Sequence, residues 1–186
     1  MRVIILKYMI LSSIACLFSA FVQANNCNVP VKLLNTDSNK QIIPLSGDKK
    51  MHLERWVSQE TVKPHAAVMA INITCQKLEG VKYTGSKEEW YGLLNSITKG
   101  FVQRKATDIS LTLVGDDKAV YRGNEAHQEY VISATLGGNE QVIYNITWLD
   151  FFKNTALTVS VSGNILIDDT VNGKYRALVK TIAANL

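Results

Sequence analysis

Few side chains in this sequence could carry out acid–base or nucleophilic chemistry, because it contains only three histidines and three cysteines. A nucleophilic triad needs an activated serine or cysteine beside a histidine that an acid orients. The histidines are His52, His65 and His127, and no G-x-S-x-G segment is present to expose a serine. We therefore expect a protein that is not an enzyme and that has no catalytic residues.

Metal or phosphate binding would need several polar side chains that converge on one point. His52 and His65 are 13 residues apart in a segment without clear periodicity. The pairs Asp116-Asp117 and Asp168-Asp169 have the sequence context of a turn and of a helix N-terminus. Gly173-Lys174 lacks the upstream glycine of a phosphate-binding loop. The sequence predicts no metal site and no cofactor.

The first 24 residues have the pattern of a cleaved export signal. Arg2 and Lys7 precede an apolar run over 8–21, and Val22-Gln23-Ala24 offers the small residues that signal peptidase needs. The run is shorter than the roughly 20 residues that span a bilayer, so we expect a periplasmic or secreted protein without a membrane span. Removing Arg2 and Lys7 lowers the formal net charge from +4 to +2, which argues against nucleic-acid binding.

The cysteines predict one cross-link. Cys16 lies in the export signal and leaves with it, so Cys27 and Cys75 remain and are expected to form a disulfide in an oxidising compartment. A redox-active or metal-binding pair is the alternative, but such cysteines are usually close together in sequence. Acylation of Cys16 in a lipoprotein is a further alternative, and Ser13 three residues before it argues against that.

Hydrophobic periodicity predicts strands around one long helix. Alternation favours strands at 27–33, 109–113, 127–136, 141–149 and 157–161, and the uncharged segment 66–75 predicts a central strand. Residues 40–64 are compatible with short edge strands or with a long ordered loop. Ser86 and Glu89 form a capping-box pattern that starts a helix over 87–105. Tyr175, Leu178 and Ile182 are spaced as one face of a C-terminal helix.

This order predicts an α+β fold, in which two amphipathic helices pack on an antiparallel sheet. We expect residues 25–186 to form a single domain, because no internal repeat or low-complexity linker divides them. Both cysteines are expected to point inward, since each shares a predicted strand face with apolar residues.

Residues 86–186 resemble the Mog1p/PsbP group, which includes the DcrB-type periplasmic proteins. The resemblance is carried by the helix with Trp90 and by the segments Gly123-Asn124-Glu125-Ala126, Tyr130-Val131-Ile132, Gly137-Gly138-Asn139, Tyr144 to Ile146 and Tyr175 to Ile182. It implies a compact sandwich that serves mainly to bind other proteins and has no shared catalytic site. Some exported immunity proteins of bacterial secretion systems are similar to this group.

Phe151 and Phe152 are the residues that folding explains least. In a strand only one of two adjacent rings could face inward, so in an exposed turn the other would be an anchor for a partner. The alternative is that both rings pack under the sheet edge or onto the C-terminal helix. We expect an exported protein-binding module, with an immunity or inhibitor protein that occludes a partner's active site as the specific form considered. The alternative function is a periplasmic carrier of a small apolar ligand.

Overall fold

Strands dominate the part of the chain that the structure describes, which in this computed structural model is residues 27, 29, 36–116 and 118–186. The elements in chain order are β1 Asn39–Pro44, β2 Lys50–Val62, β3 Ala67–Glu79, α1 Lys87–Gln103, β4 Thr107–Leu113, β5 Val120–Arg122, β6 Glu125–Leu136, β7 Asn139–Asp150, β8 Thr155–Asn164, a 3₁₀ helix Ile165–Ile167 and α2 Asp168–Ala183.

The strands form one sheet in the order β1-β2-β3-β8-β7-β6-β4, with β5 paired to one end of β6. Every neighbouring pair is antiparallel. The strands β6, β7 and β8 follow one another as the predicted meander, while β8 joins it to β3. Residues directly opposite each other in the register share a face of the sheet, so each face can be followed from β1 to β6.

The predicted α+β fold class, with its Mog1p/PsbP-like sandwich, is wrong, because the described residues are about half strand and only about a quarter helix. The main difference lies in segment 40–64, which forms β1 and the 13-residue β2. Charged residues interrupt the alternation of β2 in the sequence because both faces are partly open to solvent near this edge of the sheet. The helices cover only parts of the two faces.

The face under α2, called here the α2 face, carries the larger core. Helix α2 packs on β7 and β8, and its buried residues are Val171, Tyr175, Leu178 and Ile182. Strand residues of the same core are Trp56, Met69, Ile71, Ile73, Val142, Ile146, Leu157, Val159 and Val161. Burial of apolar surface on this scale is the main favourable contribution to folding.

The disulfide between Cys27 and Cys75 is confirmed, with Cα atoms 5.9 Å apart. Both cysteines are buried in the core of the α2 face, as expected. The bond ties the N-terminal segment to β3. The predicted export signal over 1–24 lies outside the described residues, and so does most of the predicted strand over 27–33.

The opposite face, called here the α1 face, has smaller apolar clusters near α1. One lies between α1 and β4, β6 and β7 and is built around Phe101, Tyr130 and Ile132. The other surrounds Trp90 at the start of α1. Of the described helices, none has the length and apolar character needed to cross a membrane.

Polar or acidic side chains stabilise the N-terminus of each helix. The Ser86 hydroxyl accepts a hydrogen bond from the Glu89 amide at 3.2 Å, as the capping pattern predicts. The Glu89 carboxylate accepts from the amides of Thr84 and Gly85, at 2.8 and 2.6 Å. Helix α2 begins with Asp168 and Asp169, where acidic side chains favour the positive end of the helix dipole. This confirms the helix N-terminus that the pair Asp168-Asp169 predicts in the sequence.

Candidate functional site

The two phenylalanines that the sequence singles out lie next to each other in the β7–β8 turn but in different environments. Phe151 is half-buried, its amide donates to the Asn124 carbonyl at 2.8 Å, and its ring packs against the small cluster around Trp90. Phe152 has 87% of its surface exposed. One ring anchors the turn and the other projects into solvent, which is the arrangement that a binding role for the pair requires.

A third aromatic residue that the sequence analysis did not identify, Tyr121 of β5, stands beside Phe151. Its hydroxyl donates to the Gly85 carbonyl, and its ring is 55% exposed. A Cβ placed on Gly85 would lie 2.6 Å from Phe151 Cζ and 3.2 Å from Tyr121 Cε1, so only glycine lets both rings approach. We call Tyr121, Phe151 and Phe152 the aromatic turn. The sequence signal for Tyr121 was weak because β5 has only three residues.

Polar contacts fix the backbone that carries Phe152. The Asp150 carboxylate accepts from the Lys153 amide at 2.8 Å and pairs with its ammonium group at 2.9 Å. Partial burial tends to raise the pKa of Asp150, but the hydrogen bonds and charge of Lys153 outweigh it and lower this pKa below its ordinary value. The carboxylate therefore stays ionised and keeps the turn closed at neutral pH.

Asn154 joins the same turn to the loop before α1. Its side-chain amide donates to the carbonyls of Leu78 and Val81, each at 2.8 Å, and its side-chain oxygen accepts from the Tyr83 amide at 2.9 Å. Asn154 itself has a φ of +57°, a conformation that asparagine adopts more readily than most residues. The turn is thus held from both sides, and Phe152 projects from a fixed base.

The α1 face also carries rows of short polar side chains that run across the strands. One row follows the register Asn39, Arg55, Thr74, Thr158, Thr147 and Gln128. The hydroxyls of Thr147 and Thr158 lie 2.9 Å apart, and that of Tyr130 lies 3.4 Å from Thr147. Exposure falls along the row from Asn39 and Arg55 to the buried Thr147 and Gln128.

The three histidines that the sequence analysis considers for acid–base chemistry lie far apart in the sequence and on different elements or loops. His52 Nε2 of β2 lies 2.8 Å from Glu79 Oε2 of β3 in an exposed contact, and His65 is exposed between these strands. His127 lies on β6, where burial and then the charge of Arg122 lower its pKa. Among the described residues no group of His, Cys, Asp or Glu is arranged to hold a metal ion.

Ionisable side chains do meet beneath α2, where they attach the helix to the sheet. The Tyr144 hydroxyl donates to Asp168 Oδ1 at 2.8 Å, and Arg176 Nη1 lies 2.8 Å from Glu129 Oε1. Burial, followed by the nearby Asp168, raises the pKa of Tyr144 to about 12, and burial also raises the pKa of Tyr175. Both phenols therefore stay protonated near neutral pH, which suits them to packing and hydrogen bonding instead of proton abstraction.

Comparison with known proteins adds no relative: neither protein-family models, nor curated proteins, nor solved structures gave a match to this chain. The resemblance of residues 86–186 to the Mog1p/PsbP group stays a prediction. The function must be argued from the side chains described above.

Proposed function

We propose that the protein is exported and acts by binding another protein through its aromatic turn, without catalysing a reaction. The observation that carries this proposal is the 87% exposure of Phe152 on a turn held by Asp150, Lys153 and Asn154. Aromatic rings are enriched at the centres of protein interfaces because they bury a large area at a small entropic cost. A turn that is already ordered loses little further freedom when it binds.

Export is supported by the buried disulfide, since such bonds persist where thiols are oxidised. The form of binding to test first is that of an immunity or inhibitor protein. In that role, the ring of Phe152 would enter a partner's active site and the half-exposed Tyr121 would contact its rim.

The alternative function, a carrier of a small apolar ligand, has less support. The apolar cavity near the disulfide is lined by residues that include Trp148, Leu157 and Leu186, and its volume is about 20 Å³. This is about the space that one water molecule needs, whereas ligand pockets typically measure several hundred Å³. Protein binding is therefore the function that we propose.

The proposal can be tested by placing a photo-crosslinking amino acid at position 152 in cells that produce the protein. The matched control carries the same amino acid at Leu166, which is 70% exposed and lies at the opposite end of β8. We expect a specific protein adduct from position 152 and not from position 166. The adduct is then identified and the partner purified.

Titration calorimetry with the purified partner would follow. Phe152→Ser should weaken binding at least tenfold, or about 1.4 kcal/mol, while Leu166→Ser should leave it within about twofold. Because Phe152 is exposed, neither change should alter the thermal unfolding temperature by more than a few degrees. Adducts at both positions, or unchanged affinity in Phe152→Ser, would rule out the aromatic turn as the binding site.

A further inference from the structure

A second surface lies far from the aromatic turn, where β1 and β2 form an open cleft on the α1 face. Its volume is about 230 Å³, and it is lined by Asn39, Gln41, Leu53, Arg55 and Val57. The register sets Asn39 opposite Arg55 and Gln41 opposite Leu53, so these four side chains form two adjacent rows. The cleft therefore combines one cation, two amides and an apolar base.

Among the described strand residues, Arg55 has no acidic neighbour on its own face. Its partners in the register are Asn39 on one side and Thr74 on the other. In the register of β1, β2, β3, β8, β7 and β6, the described residues place no Asp or Glu on this face, and Arg55 is its single charge. A guanidinium in such a setting attracts an anion from outside the chain.

The other face of the same two strands differs. There Glu54 is buried opposite Cys75, and its carboxylate accepts from the Ser38 hydroxyl at 2.7 Å and lies 3.4 Å from Lys40 Nζ. The acid on that face is satisfied within the chain. Within the part of the chain that the structure describes, no carboxylate balances the positive charge of Arg55 in this way.

The residues beside Arg55 add hydrogen-bonding capacity of both kinds. The Thr74 hydroxyl donates to Asn72 Oδ1 at 3.2 Å, so its oxygen can still accept a hydrogen bond from a donor group on a ligand. The amides of Asn39 and Gln41 can donate to a ligand's oxygens. Leu53, at 8% exposure, offers aliphatic contact below them.

We propose that this cleft binds a carboxylate carried on a short aliphatic group. The two carboxylate oxygens would pair with the guanidinium of Arg55 in the bidentate geometry that arginine favours. Asn39 and Gln41 would donate to the same oxygens, and the aliphatic part would lie on Leu53 and Val57. A small organic acid and the C-terminus of a peptide both present this chemistry.

The test is an NMR titration of the ¹⁵N-labelled chain. The probes are 2-hydroxyisocaproate and its methyl ester, and the tripeptide Ala-Ala-Leu with a free or an amidated C-terminus. We expect saturable shifts at the amides of Asn39, Arg55 and Val57 with the free acids, and none with the ester or the amide. Tighter binding of the tripeptide would identify a peptide terminus as the source, and tighter binding of hydroxyisocaproate a small acid.

Substitutions on the two faces of β2 provide the matched comparison. Arg55→Gln should weaken binding by at least about tenfold, and Arg55→Lys by less, because a lysine keeps the charge but loses the fork. Lys50→Gln, on the same strand but the opposite face, should leave the affinity within about twofold. Equal shifts with sulfate, equal loss in Lys50→Gln, or no saturation below about 10 mM would overturn the carboxylate site. Neither outcome bears on the proposed binding of a partner by the aromatic turn.

Discussion

The two faces of the sheet are built from the same strands yet have opposite characters. At the centre of β3 and β8, the α2 face carries Ile71, Ile73, Val159 and Val161, all at most 1% exposed. The side chains between them point to the α1 face and are Asn72, Thr74, Thr158 and Ser160, all partly exposed. The strand period of two thus separates an apolar layer from a polar one within a single backbone.

The difference follows from what each helix covers. Helix α2 lies over β7 and β8 and seals the centre of its face, whereas α1 lies over the end of the sheet near β4 and β6. The polar rows continue beneath α1, where Asn145 and Thr147 are buried but hydrogen-bonded to neighbouring side chains. Stability is thereby concentrated on the α2 face, and the α1 face is left with side chains that can contact other molecules.

Removing the disulfide should have the largest effect on the difference between the two faces. The bond lies in the core of the α2 face and does not contribute to the α1 face. Cys27 and Cys75 are separated by 48 positions, and closing a loop of that length lowers the entropy of the unfolded chain. Cys27→Ala/Cys75→Ala should therefore reduce the free energy of unfolding by about 2–5 kcal/mol. Urea unfolding followed by tryptophan fluorescence measures this change.

Reduction of the wild-type protein is the control for that variant. A reducing agent should lower the stability of the wild type to nearly that of the double alanine variant, and should leave the variant unchanged. A loss below about 1 kcal/mol would mean that the packed core closes the α2 face without help from the cross-link.

Exchanging a methyl and a hydroxyl group on adjacent residues of β8 sharpens the comparison. Val159→Thr places a hydroxyl in the fully buried core of the α2 face and should cost about 2 kcal/mol. Thr158→Val makes the reverse change on the α1 face, where the side chain is partly exposed, and should cost less than about 1 kcal/mol. The free energies of unfolding from urea titrations give both values.

Thr158→Val tests the polar row as well as its exposure. The substitution leaves the buried hydroxyl of Thr147 without its 2.9 Å partner, although Tyr130 remains within 3.4 Å. If the two substitutions proved equally costly, the polar row would be as important to folding as the apolar core, and the distinction between the faces would fail.

The sequence predicts the parts of the fold that follow from one strong local signal. The uncharged segment around Ile71 and Ile73 predicts β3, the Ser86–Glu89 pattern predicts the start of α1, and Gly137-Gly138 predicts the β6–β7 hairpin. The pairing of Cys27 with Cys75 could also be predicted, because the predicted loss of Cys16 with the export signal would leave only one combination.

Elements at the edges of the sheet could not be predicted equally well. Strand β2 carries Glu54, Arg55 and Glu60 among its apolar residues, and these charges obscure its period of two. Arg55 and Glu60 are exposed, whereas the buried Glu54 contacts Ser38 and Lys40.

The functional residues could be predicted only in part. Phe151 and Phe152 could be identified because they are adjacent in the sequence, whereas Tyr121 and Arg55 are recognised only when the fold places them beside distant segments.

The smallest expected effect concerns His127, which lies on the α2 face of β6 opposite Trp148. Burial and the charge of Arg122 lower its pKa, and Glu129 only partly opposes them. The folded protein therefore prefers neutral imidazole, and the unfolded chain binds a proton more readily. As the pH falls from 7.5 through the unfolded value of about 6.5, His127 should make the protein less stable, until the pH is below the folded pKa. Urea unfolding of the wild type and His127→Gln between pH 7.5 and 5 measures the difference, with His65→Gln as the surface control. If the wild type and His127→Gln lost stability in parallel as the pH falls, the imidazole of His127 would be as well hydrated in the folded protein as in the unfolded chain. The buried surface of the α2 face would then not extend to this position of β6.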